Sequence, residues 1–238
     1  MVRVQVGLPD LGMDMAKYAA KFDMVELRPN PSAMPKASTL RAFRRAVNPS
    51  FTFSVVLPPV VGALAMTPEM DAALEGALAM ATTLEARIVV LSTTTEVRPT
   101  TQTVARLRAV VERLPKPGTV LAWEPQGLWE RKDVVSLSKT LGLLPVFDAG
   151  QTLVGSGPLV YTRLRALGGQ RKLGQHVVAR LADQLAGRRE AWVVTEDRAS
   201  ATRLRSDVEQ AISRSNPRDI PAIVRPAPGR LRAEDEEQ

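Results

Sequence analysis

The chain contains no cysteine. That absence removes disulfides, thiolate nucleophiles and cysteine-ligated zinc, and it fits a cytoplasmic protein. Histidine is almost missing too. The single copy, His176, falls in a stretch with helical spacing and reads as a surface residue. A hydroxyl nucleophile needs an adjacent base, so Ser54 and Ser92 have little support as catalytic groups. Aromatic residues make up 4% of the chain, too few to provide a row of platforms for stacking bases. No apolar run approaches the ~20 residues of a membrane span, so no membrane partner is expected. The start shows no basic segment followed by an apolar stretch, so no signal peptide is expected. No Gly/Ser- or Pro-rich linker divides the middle, which argues for one domain.

Positive charge is what the chain has in excess, with a formal net charge of +7. The basic residues are scattered along helical stretches instead of gathered in one stripe. This permits weak nonspecific attraction to nucleic acid without the footprint of a dedicated binder.

Eight short apolar runs recur, at 2–8, 24–28, 51–57, 87–92, 119–124, 143–148, 159–165 and 191–197. Stretches with helical spacing separate most of them: 10–22, 38–47, 67–84, 101–114, 131–141, 175–185 and 199–213. Eight strand–helix alternations in 238 residues predict an α/β fold, a TIM-type (β/α)8 barrel over residues 1–213. The segment 214–238 is proline-rich and charged, and reads as a flexible tail. The Gly-rich segment 150–158 reads as a lid or as a connector replacing a shortened sixth helix.

Several runs carry a charge where an interior side chain belongs. Side chains alternate faces along a strand, and the helix layer takes the apolar face. Parity therefore turns Arg3, Gln5, Gly7, Glu26, Arg28, Ser54 and Val56 into the barrel. It does the same for Val120, Ala122, Glu124 and Gln126, then Val146 and Asp148, then Tyr161, Arg163 and Arg165. The last strand is ambiguous, because Trp192, Val194 and Glu196 compete with Val193, Thr195 and Asp197. The inner set holds three acids, Glu26, Glu124 and Asp148, and three bases, Arg28, Arg163 and Arg165. Most stand near the carboxyl ends of their strands, the face where barrel enzymes place their sites. Buried charges must pair with each other, with water or with a ligand. A closed ion network and an open pocket are both consistent with the list.

The residues also resemble the YecE-like family, known as domain of unknown function 72 (DUF72). Tyr18-Ala19-Ala20-Lys21-Phe22 followed by Val25-Glu26 is similar to the family's "YA-x-x-F-x-x-VE" segment. Pro35, Leu40, Phe43, Pro49 and Phe51-Thr52-Phe53-Ser54-Val55 follow in its order. Ala122-Trp123-Glu124 with Trp129, then Asp148, then Val160-Tyr161-Thr162-Arg163-Leu164 extend the match through the second half. The resemblance implies a TIM-type barrel and no established reaction. The chain departs from the pattern at Val56, Gln126, Arg165-Ala166 and Thr195-Glu196-Asp197, where the family has lysine, arginine, histidine–glycine and asparagines.

Two readings of function follow. In the first, Arg28, Arg163 and Arg165, with Tyr161 and Trp129 beside them, bind a small anionic ligand, phosphorylated compounds included. Glu26 and Glu124 then do acid–base work, Asp148 orients them, and hydrolase or lyase chemistry is open. Gly168-Gly169 and Arg171-Lys172 would extend this anion pocket. Carboxylate ligation of Mg²⁺ or Mn²⁺ is the minor variant, and no cofactor is implied. In the second reading the barrel is a non-catalytic module for protein or nucleic acid. Oligomeric state is not legible.

Overall fold

The structure is a computed structural model in which residues 2–115, 118–165 and 173–215 are described. The expected tail lies, from residue 216 onward, outside the described residues, as does the Gly168–Lys172 part of the expected anion loop.

Eight parallel strands form one sheet: β1 (Arg3–Leu8), β2 (Met24–Leu27), β3 (Thr52–Val56), β4 (Ile88–Ser92), β5 (Val120–Glu124), β6 (Leu144–Pro145), β7 (Leu159–Leu164) and β8 (Glu190–Thr195). Their order is β6-β5-β4-β3-β2-β1-β8-β7, so every strand except β6 pairs with its successor in the chain and β8 closes onto β1. The remaining seam, between β6 and β7, is held by one bridge from Phe147 to Thr162. The Thr162 hydroxyl donates to the Phe147 carbonyl (2.7 Å) and accepts from the Ala149 N–H (2.9 Å), so a side chain does there what a ladder does elsewhere. The fold is the expected TIM-type barrel.

The outer helices are α1 (Met15–Ala19), α2 (Ala37–Arg45), α3 (Pro59–Gly62), α4 (Pro68–Thr83), α5 (Thr101–Glu112), α6 (Arg131–Leu141), α7 (Gln175–Leu185) and α8 (Arg198–Ser215). Start and stop signals explain most of their limits. Thr67 and Thr100 cap α4 and α5 by accepting the N–H of Met70 and Thr103, and Gly142, left-handed at φ 68°, ends α6. The expected helix over 10–22 shrinks to α1, because Gly12 takes a positive φ of 54° and Asp14 supplies the cap to Ala16 and Lys17. The four-residue α3 is too short to leave a periodic signature.

No helix lies between β6 and β7. Segment 149–158 covers that part of the sheet, tied down by side chains from both flanks. Arg131 donates to the Leu153 carbonyl, Arg180 to Gln151, Arg188 to Gly157, and Gln184 donates to Ala149 while accepting from the Val154 N–H. The connector reading of this segment fits what is observed.

Two apolar layers result. The larger lies between strands and helices. The smaller fills the barrel with Met24, Val56, Ile88, Val90, Ala122, Val146, Tyr161, Trp192 and Val194. This settles β8: Trp192 and Val194 face inward, and Trp192 Nε1 donates to Gln5 Oε1 (2.7 Å). Much of the family-like segment proves architectural. Tyr18, Phe22, Phe51 and Phe53 form a chain of aromatic contacts, with ring centroids 4.7, 6.3 and 5.2 Å apart. The Tyr18 hydroxyl accepts from the Leu8 N–H (2.8 Å) and donates to the Met24 carbonyl (3.0 Å), stitching β1 to β2. Among the described residues, no helix is long and apolar enough to cross a membrane.

Candidate functional site

Glu26, on β2, is fully buried at the upper end of the barrel interior. Its Oε2 accepts from the Tyr161 hydroxyl (2.5 Å) and from Arg163 Nε (2.8 Å), and its Oε1 accepts from Arg28 Nε and Nη2 (3.2 and 3.1 Å). Four donors fill the roughly four lone-pair positions of a carboxylate. Arg163, from β7, crosses the barrel to make these bonds, and its Nη1 continues to Glu124 at the end of β5. Glu124 is also held by Arg165 Nη2 at Oε1 (2.5 Å) and by the Ser92 hydroxyl at Oε2 (2.7 Å). Gln126 donates in turn to Ser92 (3.0 Å).

Five of the six charged side chains that parity placed together, all but Asp148, thus meet in one network. Its electrostatics follow from burial and pairing. Desolvation pushes the Glu124 carboxyl up, but Arg163 and Arg165 outweigh it and hold the group below the ordinary carboxylate range. Burial and the neighbouring Glu26 charge push the Tyr161 phenol far above its usual value, so it serves as a neutral donor. Arg163 loses by desolvation, but Glu26 and Glu124 more than restore its charge, and its pKa rises.

Above the network a cleft of about 510 Å³ opens at the carboxyl ends of the strands. Arg28, Arg163, Arg165 and Glu124 reach it from the floor. Val56, Leu57, Pro58 and Pro59 make an apolar wall, and Ser92, Thr94, Thr95 and Gln126 a polar one. Close backbone approaches fix these walls. A Cβ on Gly62 would stand 2.1 Å from the Ser92 carbonyl oxygen, and one on Gly127 would stand 2.6 Å from that of Thr95. Only glycine lets α3 and the loop after β5 come this near.

Four of the expected site residues lie elsewhere or do something else. Glu26 and Tyr161 are fully buried beneath the cleft and hold Arg163 and Arg28 instead of facing a ligand. Asp148 does not orient the glutamates. Strand β6 ends at Pro145, and the carboxylate turns to accept from the Gly150 N–H (2.8 Å), the Gln151 side chain (3.1 Å) and the Arg165 N–H (3.2 Å). Trp129 is not at the pocket. It packs edge-on against Trp123 (5.0 Å) in the helix layer and donates to the Val97 carbonyl (3.1 Å). Sequence reasoning missed the wall residues Pro58, Pro59, Thr94, Thr95 and Glu96, and the rim residue Glu196. Their one signal is that each directly follows a strand.

Below the apolar interior, the other mouth carries a smaller network. Glu190 accepts from Arg87 Nη2 (2.5 Å), while Arg3 Nη1 stands 3.8 Å from its second oxygen. Arg87 also lies over the Trp192 ring, 5.2 Å from its centroid. Among the described residues no group of three or more His, Asp or Glu is arranged to hold a metal ion. The expected Mg²⁺ variant therefore has no ligand set there.

No protein-family model matches the chain. No curated protein matches it either. Among solved structures it is similar to a DUF72 family protein from Enterococcus faecalis, with a TM-score of 0.65 and 14% identity over 90% of this chain and 98% of that one. It is similar also to a DUF72 family protein from Thermotoga maritima, with a TM-score of 0.59 and 15% identity over 89% and 98% of the two chains. A xylose isomerase domain containing protein from Salmonella typhimurium matches with a TM-score of 0.57 and 16% identity over 90% and 96%. At such identities the likeness is one of fold, and the group indicated by the order of sequence motifs appears among those neighbours: the chain has the (β/α)8 barrel of the DUF72 proteins.

Proposed function

We propose that this chain is a divergent YecE-like (DUF72) barrel of the cytoplasm that binds a small anionic ligand in the cleft at the carboxyl ends of its strands. One observation carries the reading: the network beneath the cleft has more donors than acceptors. Each guanidinium presents five N–H groups. Glu26 is saturated, and Glu124 already takes three bonds. Among the described residues, Arg28 Nη1 and Arg165 Nε and Nη1 have no hydrogen-bond partner. Arg163 Nη2, 2.7 Å from Glu26, is buried and belongs to the network, not to the cleft. Unsatisfied donors beside an open cleft call for an acceptor-rich partner, and planar guanidinium groups match carboxylate and phosphate oxygens.

Binding is better supported than turnover. Glu124 is held ionised and can only accept a proton, while Glu26 lies below the ligand's reach. Neither is set up as the general acid that hydrolase or lyase chemistry would ask of it. The reading is tested by thermal unfolding of the full chain with acetate, malonate and inorganic phosphate at constant ionic strength, in wild type and Arg165→Ala. A rise in Tm that follows RT ln(1 + [L]/Kd) in wild type and disappears in the variant supports it. A salt-sensitive rise with DNA, and none with small anions, would support the interaction-module alternative instead.

A further inference from the structure

Two carboxylates stand at the rim of the cleft and take no part in its floor. Glu196 follows β8, Glu96 follows β4, and both are exposed. Among the described residues neither forms an ion pair. The position of Glu196 makes this informative. Leu164 of β7 is in register with Thr195 of β8, so Arg165 and Glu196 leave adjacent strands side by side, about 5 Å apart at the backbone. Arg165 nevertheless reaches across the mouth to Glu124 and leaves its neighbour alone. On the facing wall, Glu96 accepts from the Thr95 hydroxyl (3.0 Å). The lining residues Arg28, Arg163 and Arg165 are thus balanced in formal charge by Glu96, Glu124 and Glu196.

A ligand with negative charge alone would meet the donors of the floor and two uncompensated carboxylates at the rim. Like charges in a half-enclosed site repel, so such a ligand binds more weakly than one that also carries a positive group. We infer that the ligand is zwitterionic, with an oxyanion on the free N–H groups of Arg28 and Arg165 and an ammonium group on Glu196. The apolar wall of Val56, Leu57, Pro58 and Pro59 would accommodate the carbon skeleton between the two charges. This rests on the reading that the cleft takes an oxyanion, and it adds the second charge and the residue that meets it.

The probes are the ω-amino acids from glycine to 6-aminohexanoate, with alkanoates and alkylamines of matching carbon number. Each is titrated into the full chain by calorimetry at constant ionic strength. At least one amino acid is expected to bind about tenfold more tightly than its alkanoate, the factor of one charge-assisted hydrogen bond. Glu196→Gln, a change at an exposed position whose unaltered Tm reports intact folding, is expected to abolish that advantage without weakening the alkanoate. If alkanoates bind as tightly as the amino acids, or the advantage survives Glu196→Gln, the zwitterion inference is overturned and the oxyanion reading stands. If neither class binds, the oxyanion reading itself fails and takes the inference with it.

Discussion

The two mouths of the barrel are built from the same materials and leave opposite remainders. At the carboxyl ends of the strands, two glutamates are held by arginines, a tyrosine and a serine, and guanidinium N–H groups are left over. At the amino ends, one glutamate faces two arginines, yet its Oε1 is buried without a hydrogen bond. The upper surplus faces a cleft, whereas the lower one faces only Arg3 at 3.8 Å. On the proposed reading, the mouth whose spare donors line a cleft takes the ligand and the lower mouth holds the barrel together. The apolar layer around Met24, Ile88, Val90 and Trp192 separates them, so each can be perturbed alone.

The largest effect is expected at Glu26. Glu26→Ala leaves the Arg163 guanidinium and the Tyr161 hydroxyl buried without their acceptor, and should cost about 3–5 kcal/mol in denaturant unfolding. Next is Glu124→Gln, which removes the charge between Arg163 and Arg165 and should cost roughly 1.5–3 kcal/mol at neutral pH, as for hydrogen bonds to charged groups. This cost depends on pH with a definite sign. Because the folded-state pKa of Glu124 is depressed, its stabilisation is present above the unfolded value of about 4.3 and is lost as pH falls through the lower folded value. Unfolding curves of wild type and Glu124→Gln should therefore be furthest apart near neutrality and converge below about pH 4.

Glu190→Gln sharpens the contrast from the other end. Its partners Arg87 and Arg3 are nearly half exposed, so water takes over their solvation and the loss should be about 1 kcal/mol or less. Any anion response should survive it unchanged. Smallest in stability is Arg165→Ala, within about 0.5 kcal/mol because the side chain is half exposed. That variant should nevertheless abolish the anion-induced rise in Tm, whereas a rise lost in Glu190→Gln instead would reverse the roles of the two mouths.

Strand parity made much of this legible before any coordinates. It placed Glu26, Glu124, Arg28, Arg163 and Arg165 together because period-two alternation holds wherever a strand is long enough and one face must meet helices. It failed at Asp148 because β6 is two residues long and the carboxylate belongs to the turn after it. It also could not separate a residue that lines the cleft from one buried beneath it, which is why Glu26 and Tyr161 read as ligand contacts. Motif proximity misled at Trp129, whose ring follows Glu124 in sequence but packs in the helix layer. The loop residues Thr94, Thr95 and Glu96 carry no periodic signal at all. Their place depends on the close approaches at Gly62 and Gly127, which only three-dimensional structure reveals.

Diffraction from crystals soaked in bromoacetate tests the central claim most directly, since anomalous scattering locates the bromine without bias. The account predicts a bromine site in the upper cleft, with the carboxylate on Arg165 and Arg28 and the site lost in Arg165→Ala. Bromine at Arg3 and Arg87 with the upper cleft empty would contradict it.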